Sequence, residues 1–244
     1  MAWEISPLLS NIMLHELDKK LTKQGLKFVR YADDFSIYTK SNYQARKIGN
    51  EVYLFLKNRL KLPINREKSG IRKPVNFKIL GYGFVPTYVK GEKGKYQLVV
   101  SDKSWEKLKF KLKTITRKTT PSSFDERIHK IKEIQRGWLQ YFRMASIQVK
   151  LQDLDGWLRN RLRYCIWHHW KKPERKRKNL IRLGVDQDHA YQWSRSRKGG
   201  WAIAQSPILN TTITIERLER RGYESLSDLY IKLRPKASII FPTS

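Results

Sequence analysis

The chain has 244 residues, of which 51 are lysine or arginine and 22 are aspartate or glutamate, so its formal net charge is +29. Hydrophobic residues make up 40% of the chain and aromatic residues 12%, which excludes a disordered basic tail. A single cysteine excludes a disulfide scaffold and a four-cysteine zinc module, and no apolar run reaches the roughly 18 residues of a membrane span.

The first hundred residues alternate helical and strand-like patterns. A helix is predicted from Ser6 to Gly25, followed by two β-rich runs around Asp33-Asp34 that predict a tight hairpin. A second amphipathic helix is predicted over 42–60, and strands over 77–100 with a turn at 90–95. The apolar stripe expected to bury the first helix consists of Leu9, Ile12, Met13, Leu17 and Leu21.

After residue 101 the pattern becomes mostly helical. Ser123 and Glu126 form a capping-box sequence, a helix is predicted over 151–170, and a short β-rich run spans 211–215. We therefore predict an α+β fold with two domains, 1–101 and 102–244. The large positive charge indicates a nucleic-acid partner, because closely packed cations repel one another unless a polyanion is near.

The pair Asp33-Asp34 is the most informative motif. A two-residue hairpin turn favours Asn-Gly or Asp-Gly, and two adjacent carboxylates repel each other there. A divalent cation explains the pair, because Mg²⁺ binds one or two carboxylates together with substrate phosphates. From the residues alone the alternative stays open: a solvated acidic turn that is paired with Lys27 or Arg30.

Five segments resemble group II intron-encoded reverse transcriptases, and they follow one another along the chain in the order found in that family. The segment FVRYADDF at 28–35 resembles their catalytic hairpin, and SPLLSNI at 6–12 resembles the end of the block before it. LPINREKS at 62–69 and FKILGYGF at 77–84 resemble the lysine-bearing palm motif and the primer grip. QRGWLQYF at 135–142 resembles the maturase-specific domain, which acts as the thumb and binds intron RNA.

The resemblance implies a fold and a set of site residues. The fold is a partial reverse-transcriptase palm, an antiparallel sheet with helices, followed by a mostly α-helical thumb or maturase domain. Asp33 and Asp34 are the implied catalytic residues and ligands of Mg²⁺, which Mn²⁺ can replace. The implied nucleotide-binding residues are Tyr31 and Lys68, and the implied primer grip is Leu80, Gly81 and Tyr82.

The resemblance also implies partners. They are group II intron RNA, an RNA/DNA hybrid and, in an intact enzyme, a deoxynucleoside triphosphate, without a membrane. The expected location is the bacterial cytoplasm, in association with nucleic acid, or an organelle. A basic run is expected to contact RNA phosphates, although such runs are usually only solvated. It comprises Lys171, Lys172, Arg175, Lys176, Arg177 and Lys178.

One departure from the family pattern limits the expected activity. These polymerases carry a further metal-binding aspartate on an earlier palm strand, whereas the acids before Asp33 are Glu4, Glu16 and Asp18, none in a strand-like pattern. We therefore expect the chain to be a C-terminal part that lacks the fingers and first palm motifs, with the N-terminal half as a further partner. Three functions stay open: an RNA-directed DNA polymerase that is inactive alone, a non-catalytic maturase-like splicing protein, and a positively charged chain that binds any nucleic acid.

Overall fold

The computed structural model describes residues 2–65, 67–87 and 96–234, with side chains from residue 8 onward. The chain forms two compact units, Met1–Lys73 and Pro74–Ser244. This division lies before the predicted domain boundary at 101/102, because the second sheet packs with the helices that follow it. The domain boundary itself stays a prediction. The predicted turn at 90–95 lies outside the described residues.

The first unit is built from two helices and a hairpin. Its core is formed by Leu14, Leu17, Leu21, Ile48, Val52, Leu56 and Leu60. The elements are α1 (Ala2–Lys23), β1 (Lys27–Tyr31), β2 (Asp34–Tyr38) and α2 (Asn42–Leu54), which continues as one π-helical turn, Phe55–Arg59. Gly25 ends α1 with φ +65°, and the Leu26 N–H donates to the Leu21 carbonyl as in a Schellman motif.

Helix α1 differs from its prediction in two ways. It begins at Ala2, so Ser6 lies inside the helix and does not cap it. The apolar stripe is buried only in its second half, where Leu17 and Leu21 are inaccessible to solvent. Leu9 and Ile12 remain about three-fifths exposed (60% and 61%), because the core of the first unit reaches this helix only from Leu14 onward.

The second unit joins a three-stranded antiparallel sheet to nine helices within the described residues. The sheet has the order β3-β4-β5 and is preceded by the 3₁₀ turn Pro74–Asn76. Its strands are β3 (Lys78–Ile79), β4 (Tyr82–Pro86) and β5 (Tyr96–Val100). The helices are α3 (Asp102–Ile115), α4 (Phe124–Phe142), α5 (Gln148–His169), α6 (Pro173–Arg182), α7 (Gln187–Ser194), α8 (Gly200–Gln205), α9 (Pro207–Thr212), α10 (Ile215–Arg220) and α11 (Leu226–Leu233).

Helix α5 lies at the centre of the second unit. Its apolar side is buried at Leu151, Leu158 and Leu162, which places α4, α8 and α11 in one core. The carboxylate of Asp155 is buried on the same side and accepts hydrogen bonds from Tyr223 Oη (2.9 Å), Ser225 Oγ and two backbone N–H groups at the start of α11. A buried carboxylate is stable only when it is bonded in this way.

Two further predictions meet the structure here. The capping box of Ser123 and Glu126 is present at the start of α4. The β-rich run at 211–215 is wrong as a strand, because it contains the end of α9 and the start of α10, with Thr214 capping α10. Helices with small antiparallel sheets confirm the predicted α+β class. No helix in the described part of the chain is long and apolar enough to cross a membrane.

Candidate catalytic hairpin and nucleic-acid interface

The acidic pair lies at the tip of the β1–β2 hairpin. Tyr31 pairs with Asp34, so the two-residue turn is Ala32-Asp33 and Asp34 is the first residue of β2. The predicted turn at Asp33-Asp34 is therefore shifted by one residue. Ala32 has φ +54°, a conformation that costs a non-glycine residue energy and requires support from its surroundings.

Both carboxylates of the pair face solvent. Asp33 and Asp34 are exposed, and neither carboxylate makes an ion pair or hydrogen bond with another described residue. Tyr31 is 65% exposed beside them, a large value for a strand tyrosine. The tip thus presents two negative charges and an aromatic ring, and pairing with Lys27 or Arg30 does not account for the acids.

Arg30 stabilises the turn by hydrogen bonds to α1 and to the turn backbone. Its guanidinium donates to both oxygens of Asp18 on α1, with Nη2 at 2.7 Å and Nε at 2.9 and 3.0 Å. Its Nη1 donates at 2.9 Å to the Asn11 side chain and at 2.9 Å to the Ala32 carbonyl. The hydrogen bonds to Asp18 raise the pKa of Arg30 above its usual value. One arginine therefore connects α1 to the residue just before Asp33.

The donor set at the tip fits Mg²⁺ in part. This ion takes one or two carboxylates and completes its shell with water and phosphate oxygens, and two free carboxylates are present. Over the described ranges, no group of three or more His, Cys, Asp or Glu side chains is arranged to hold a metal ion. Asp18, the nearest acid on α1 in the hydrogen-bond network, is occupied by Arg30. Within the described residues, the tip therefore presents two carboxylates and no third.

Lys68 lies in a separate loop of the first unit. The Asn65 side chain accepts hydrogen bonds from the backbone N–H groups of Glu67 (3.1 Å) and Lys68 (3.2 Å), which forms an Asx turn. The Lys68 side chain is exposed. Its assignment to the nucleotide stays a prediction, as does that of Tyr31.

The predicted primer grip is a tight turn in the second unit. Ile79 pairs with Tyr82, so Leu80-Gly81 is the two-residue loop between β3 and β4. Both loop residues have positive φ, +50° and +81°, as in a type I′ turn. A Cβ atom at Gly81 would lie 2.7 Å from Ser104 Oγ and 3.1 Å from Phe142 Cζ, so a side chain has no room there.

Two helices hold this turn in place. The Tyr141 hydroxyl on α4 donates to the Leu80 carbonyl at 3.0 Å, and the Tyr82 hydroxyl donates to the Tyr141 carbonyl. The Gly81 carbonyl accepts from the Ser101 N–H at 2.8 Å, just before α3. Burial raises the pKa of Tyr82 to about 12, and the neighbouring Tyr141 adds to the shift.

The basic run at 171–178 forms the link between α5 and α6 and the first turns of α6. Lys171 has φ +46°, and the side chains of the run are exposed except that of Lys176. The Lys176 ammonium lies 4.4 Å from the centre of the Trp167 ring, and burial lowers its pKa. The structure thus separates Lys176, which packs, from neighbours that are free to contact phosphates.

Several other cations of the second unit have structural roles. Arg127 and Arg163 are each only 6% exposed. Arg127 donates to the carbonyl of Arg117 at 2.9 Å in the α3–α4 link, and Arg163 donates to the Ile213 carbonyl at 2.9 Å. Arg161 donates to the Thr116 carbonyl at 2.7 Å at the end of α3. These arginines satisfy carbonyls at helix ends and links, and Arg127 and Arg163 are buried away from solvent as they do so.

Comparison with known protein families assigns the class of protein. The family model described as reverse transcriptase (RNA-dependent DNA polymerase) matches residues 3–84, which include the acidic hairpin and the Leu80-Gly81 turn. The model described as group II intron, maturase-specific domain, matches residues 105–184, from α3 to the end of α6. The chain therefore belongs to the group II intron-encoded reverse transcriptase/maturase proteins, and these domains imply binding of intron RNA. No curated protein matches the chain.

Three residues with clear roles at these sites were not located by sequence analysis. Arg30 was noted only as a possible partner of the acidic turn, and Asp18 only as an acid on a helix. The helical apolar spacing of Trp138, Tyr141 and Phe142 predicts a core position for Tyr141, whereas its side chain is 51% exposed and bonds the Leu80 turn. No sequence signal locates either contact, because each joins residues that are 12 or 61 positions apart.

Proposed function

We propose that the chain supplies the catalytic hairpin and thumb of an RNA-directed DNA polymerase that copies intron RNA. The observation that carries this proposal is the pair of exposed carboxylates, Asp33 and Asp34, on a turn that Arg30 fixes to α1. The match to the reverse transcriptase family over residues 3–84 supports it.

In this proposal Asp33 and Asp34 hold Mg²⁺, Asp33 as the principal ligand. The bound ion supplies Lewis-acid activation of a primer 3′-hydroxyl and charge stabilisation for the leaving pyrophosphate. Tyr31 shapes the nucleotide pocket, and the Lys68 ammonium contacts the triphosphate of the incoming deoxynucleotide. The Leu80-Gly81 turn places the primer end of an RNA/DNA hybrid.

The remaining acidic ligand is proposed to come from a partner polypeptide that carries the fingers and first palm motifs. The exposed first half of α1 supports this step, because Leu8, Leu9 and Ile12 present three large apolar side chains that are each about 60% exposed. Such a contiguous apolar face is typical of a surface covered by another polypeptide segment. Within the described part of the chain, the hairpin pairs with no further strand, and an isolated two-stranded sheet is marginally stable.

Primer extension on an RNA template tests the proposal. The chain is mixed with a separately produced fingers and first palm segment from a group II intron reverse transcriptase, with Mg²⁺ and deoxynucleotides. Asp33→Asn is expected to lower extension by roughly 10³-fold or more, since it removes a metal ligand, while RNA affinity changes by less than about twofold. The matched control is Asp153→Asn, an exposed acid on α5, which should leave extension unchanged. Unchanged extension by Asp33→Asn would refute the catalytic assignment.

A second function is a maturase-type protein that holds intron RNA for splicing without chemistry of its own. The absence of a three-acid cluster in the described residues favours it. The match of the larger helical unit to the maturase-specific domain also supports this role. Specific binding of intron RNA without extension, whichever fingers segment is supplied, would establish this function over the first.

A further inference from the structure

The Leu80-Gly81 turn adopts a type I′ conformation that the residues Leu-Gly do not favour by themselves. A type I′ turn favours Asn-Gly or Gly-Gly, because both residues adopt positive φ. Leucine at the first position, with φ +50°, adopts the left-handed region only when contacts around it hold it there. Gly81 is held from α3 through its carbonyl, so the contact that remains for Leu80 is the hydrogen bond from Tyr141.

Tyr141 is well placed to hold Leu80. Its hydroxyl donates to the Leu80 carbonyl at 3.0 Å, and its own carbonyl accepts from the Tyr82 hydroxyl, so the two tyrosines bond each other's segments in both directions. The Tyr82 ring also packs on Phe142, with ring centres 5.0 Å apart. The end of α4 and the turn therefore form one rigid pair, although they are about 60 residues apart in sequence.

We propose that Tyr141 is a positioning residue that holds the Leu80-Gly81 turn in its left-handed conformation, so that helix α4 of the maturase-specific domain sets where a primer terminus lies. The inference rests on the proposed role of the turn as a primer grip. Leu80 is 39% exposed and Tyr141 is 51% exposed, so both are accessible to a nucleic acid while they hold each other. Movement of α4 on binding RNA would be transmitted directly to the turn.

Photo-crosslinking of a primer end tests the proposal on the full chain. The probe is a DNA primer with 4-thiothymidine at its 3′ terminus, annealed to an RNA template, and the crosslinked peptides are mapped by mass spectrometry. The wild-type chain is expected to crosslink within residues 78–87. Tyr141→Phe should lower the yield at this segment by about fivefold, the loss expected from one hydrogen bond of about 1 kcal/mol, with total primer affinity nearly unchanged.

A matched control and a rescue separate positioning from stability. Tyr191→Phe changes a tyrosine that is 50% exposed on α7 and should leave the crosslink yield at wild-type level. Leu80→Asn creates Asn-Gly, which adopts the type I′ turn without help. The double variant Tyr141→Phe/Leu80→Asn should crosslink at 78–87 almost as well as the single variant Leu80→Asn. A loss of yield that came from unfolding would not be restored in this way.

Each outcome has a separate meaning. A wild-type chain that binds the primer but gives no crosslink in 78–87 would overturn the primer grip and this inference with it. Wild-type crosslinking that Tyr141→Phe leaves unchanged would overturn only the role of Tyr141. A loss in Tyr141→Phe that Leu80→Asn fails to rescue would assign Tyr141 to general stability and would also refute the proposal.

Discussion

At the scale of single residues, the hairpin depends on one arginine more than on its acids. The acids at the tip are unpaired, whereas Arg30 makes five hydrogen bonds through three nitrogen atoms to three partners, Asp18, Asn11 and Ala32. The Arg30 and Asp18 side chains are only 16% and 20% exposed, so solvent screens their attraction little. Two repelling carboxylates can persist at a turn because this contact holds the turn carbonyl.

Arg30→Gln should destabilise the first unit by about 1–3 kcal/mol, because it leaves the half-buried carboxylate of Asp18 without its partner. Urea unfolding measures the loss, and a double-mutant cycle with Asp18→Asn should give a coupling energy of about 1–2 kcal/mol. The control is Lys19→Gln, which removes the exposed ion pair of Lys19 and Glu16 on the same helix and should cost less than about 0.5 kcal/mol. Equal effects of Arg30→Gln and Lys19→Gln would show that the Arg30 contact is not structural.

At the scale of elements, α6 shows that neighbouring cations on one helix have different roles. Lys176 lies on the ring of Trp167, which is buried at 4% exposure, while Arg175 and Lys178 project into solvent. Pro173 at the start of α6 fixes the helix and therefore which side chains face inward. The basic run spans the α5–α6 link and the first turns of α6 and contains one packed lysine, so its six charges are not equivalent for RNA binding.

Lys178→Gln is expected to weaken RNA binding and to lower the slope of log K against log salt concentration by about 1, the effect of one lost phosphate contact. Lys176→Gln should change this slope less and instead lower thermal stability, since it removes a cation–π contact of about 0.5–1 kcal/mol. Filter binding over a salt series and thermal unfolding measure the two quantities. The reverse assignment, with the larger slope change in Lys176→Gln, would contradict the packing of Lys176.

At the scale of the whole molecule, the net charge of +29 sets a strong background of RNA binding. Each neutralised phosphate releases a counterion, so such binding is steep in salt and insensitive to sequence. The buried arginines in the links of the second unit reduce the number of free cations without removing this background. Specific recognition of intron RNA must therefore appear as a difference that persists when salt suppresses the background.

Affinities for group II intron RNA and for an unrelated structured RNA of equal length should diverge as salt rises. Between 50 and 200 mM salt, nonspecific binding with about 6–10 phosphate contacts falls by roughly 10³–10⁵-fold. Intron RNA is expected to keep an advantage of about 10-fold or more across this range, because base and shape contacts are less sensitive to salt. Equal affinities for the two RNAs at every salt concentration would show that the chain is a positively charged protein that binds any nucleic acid.

The local elements were largely predictable, whereas their exact register and burial were not. Gly25 at the end of α1 and the capping box at Ser123 were recognised because such signals act within a few residues. The hairpin turn was misplaced by one residue, since an alanine at φ +54° is held there by Arg30 and not by its own preference. The β-rich run at 211–215 forms no strand, because packing overrode β-propensity there.

By itself, the sequence determined the class of protein, the positive charge that favours RNA, and the order of the acidic hairpin, the segment at 77–84 and the maturase-specific helices. These follow from local motifs and composition, which need no knowledge of packing. Only the tertiary structure decided that Arg30 supports the acidic tip, that Tyr141 bonds the Leu80 turn, and that Lys176 packs on the ring of Trp167. Each is a contact whose partner is chosen by how helices and strands pack, and hydrophobic periodicity sets which face is buried but not which distant atom it meets.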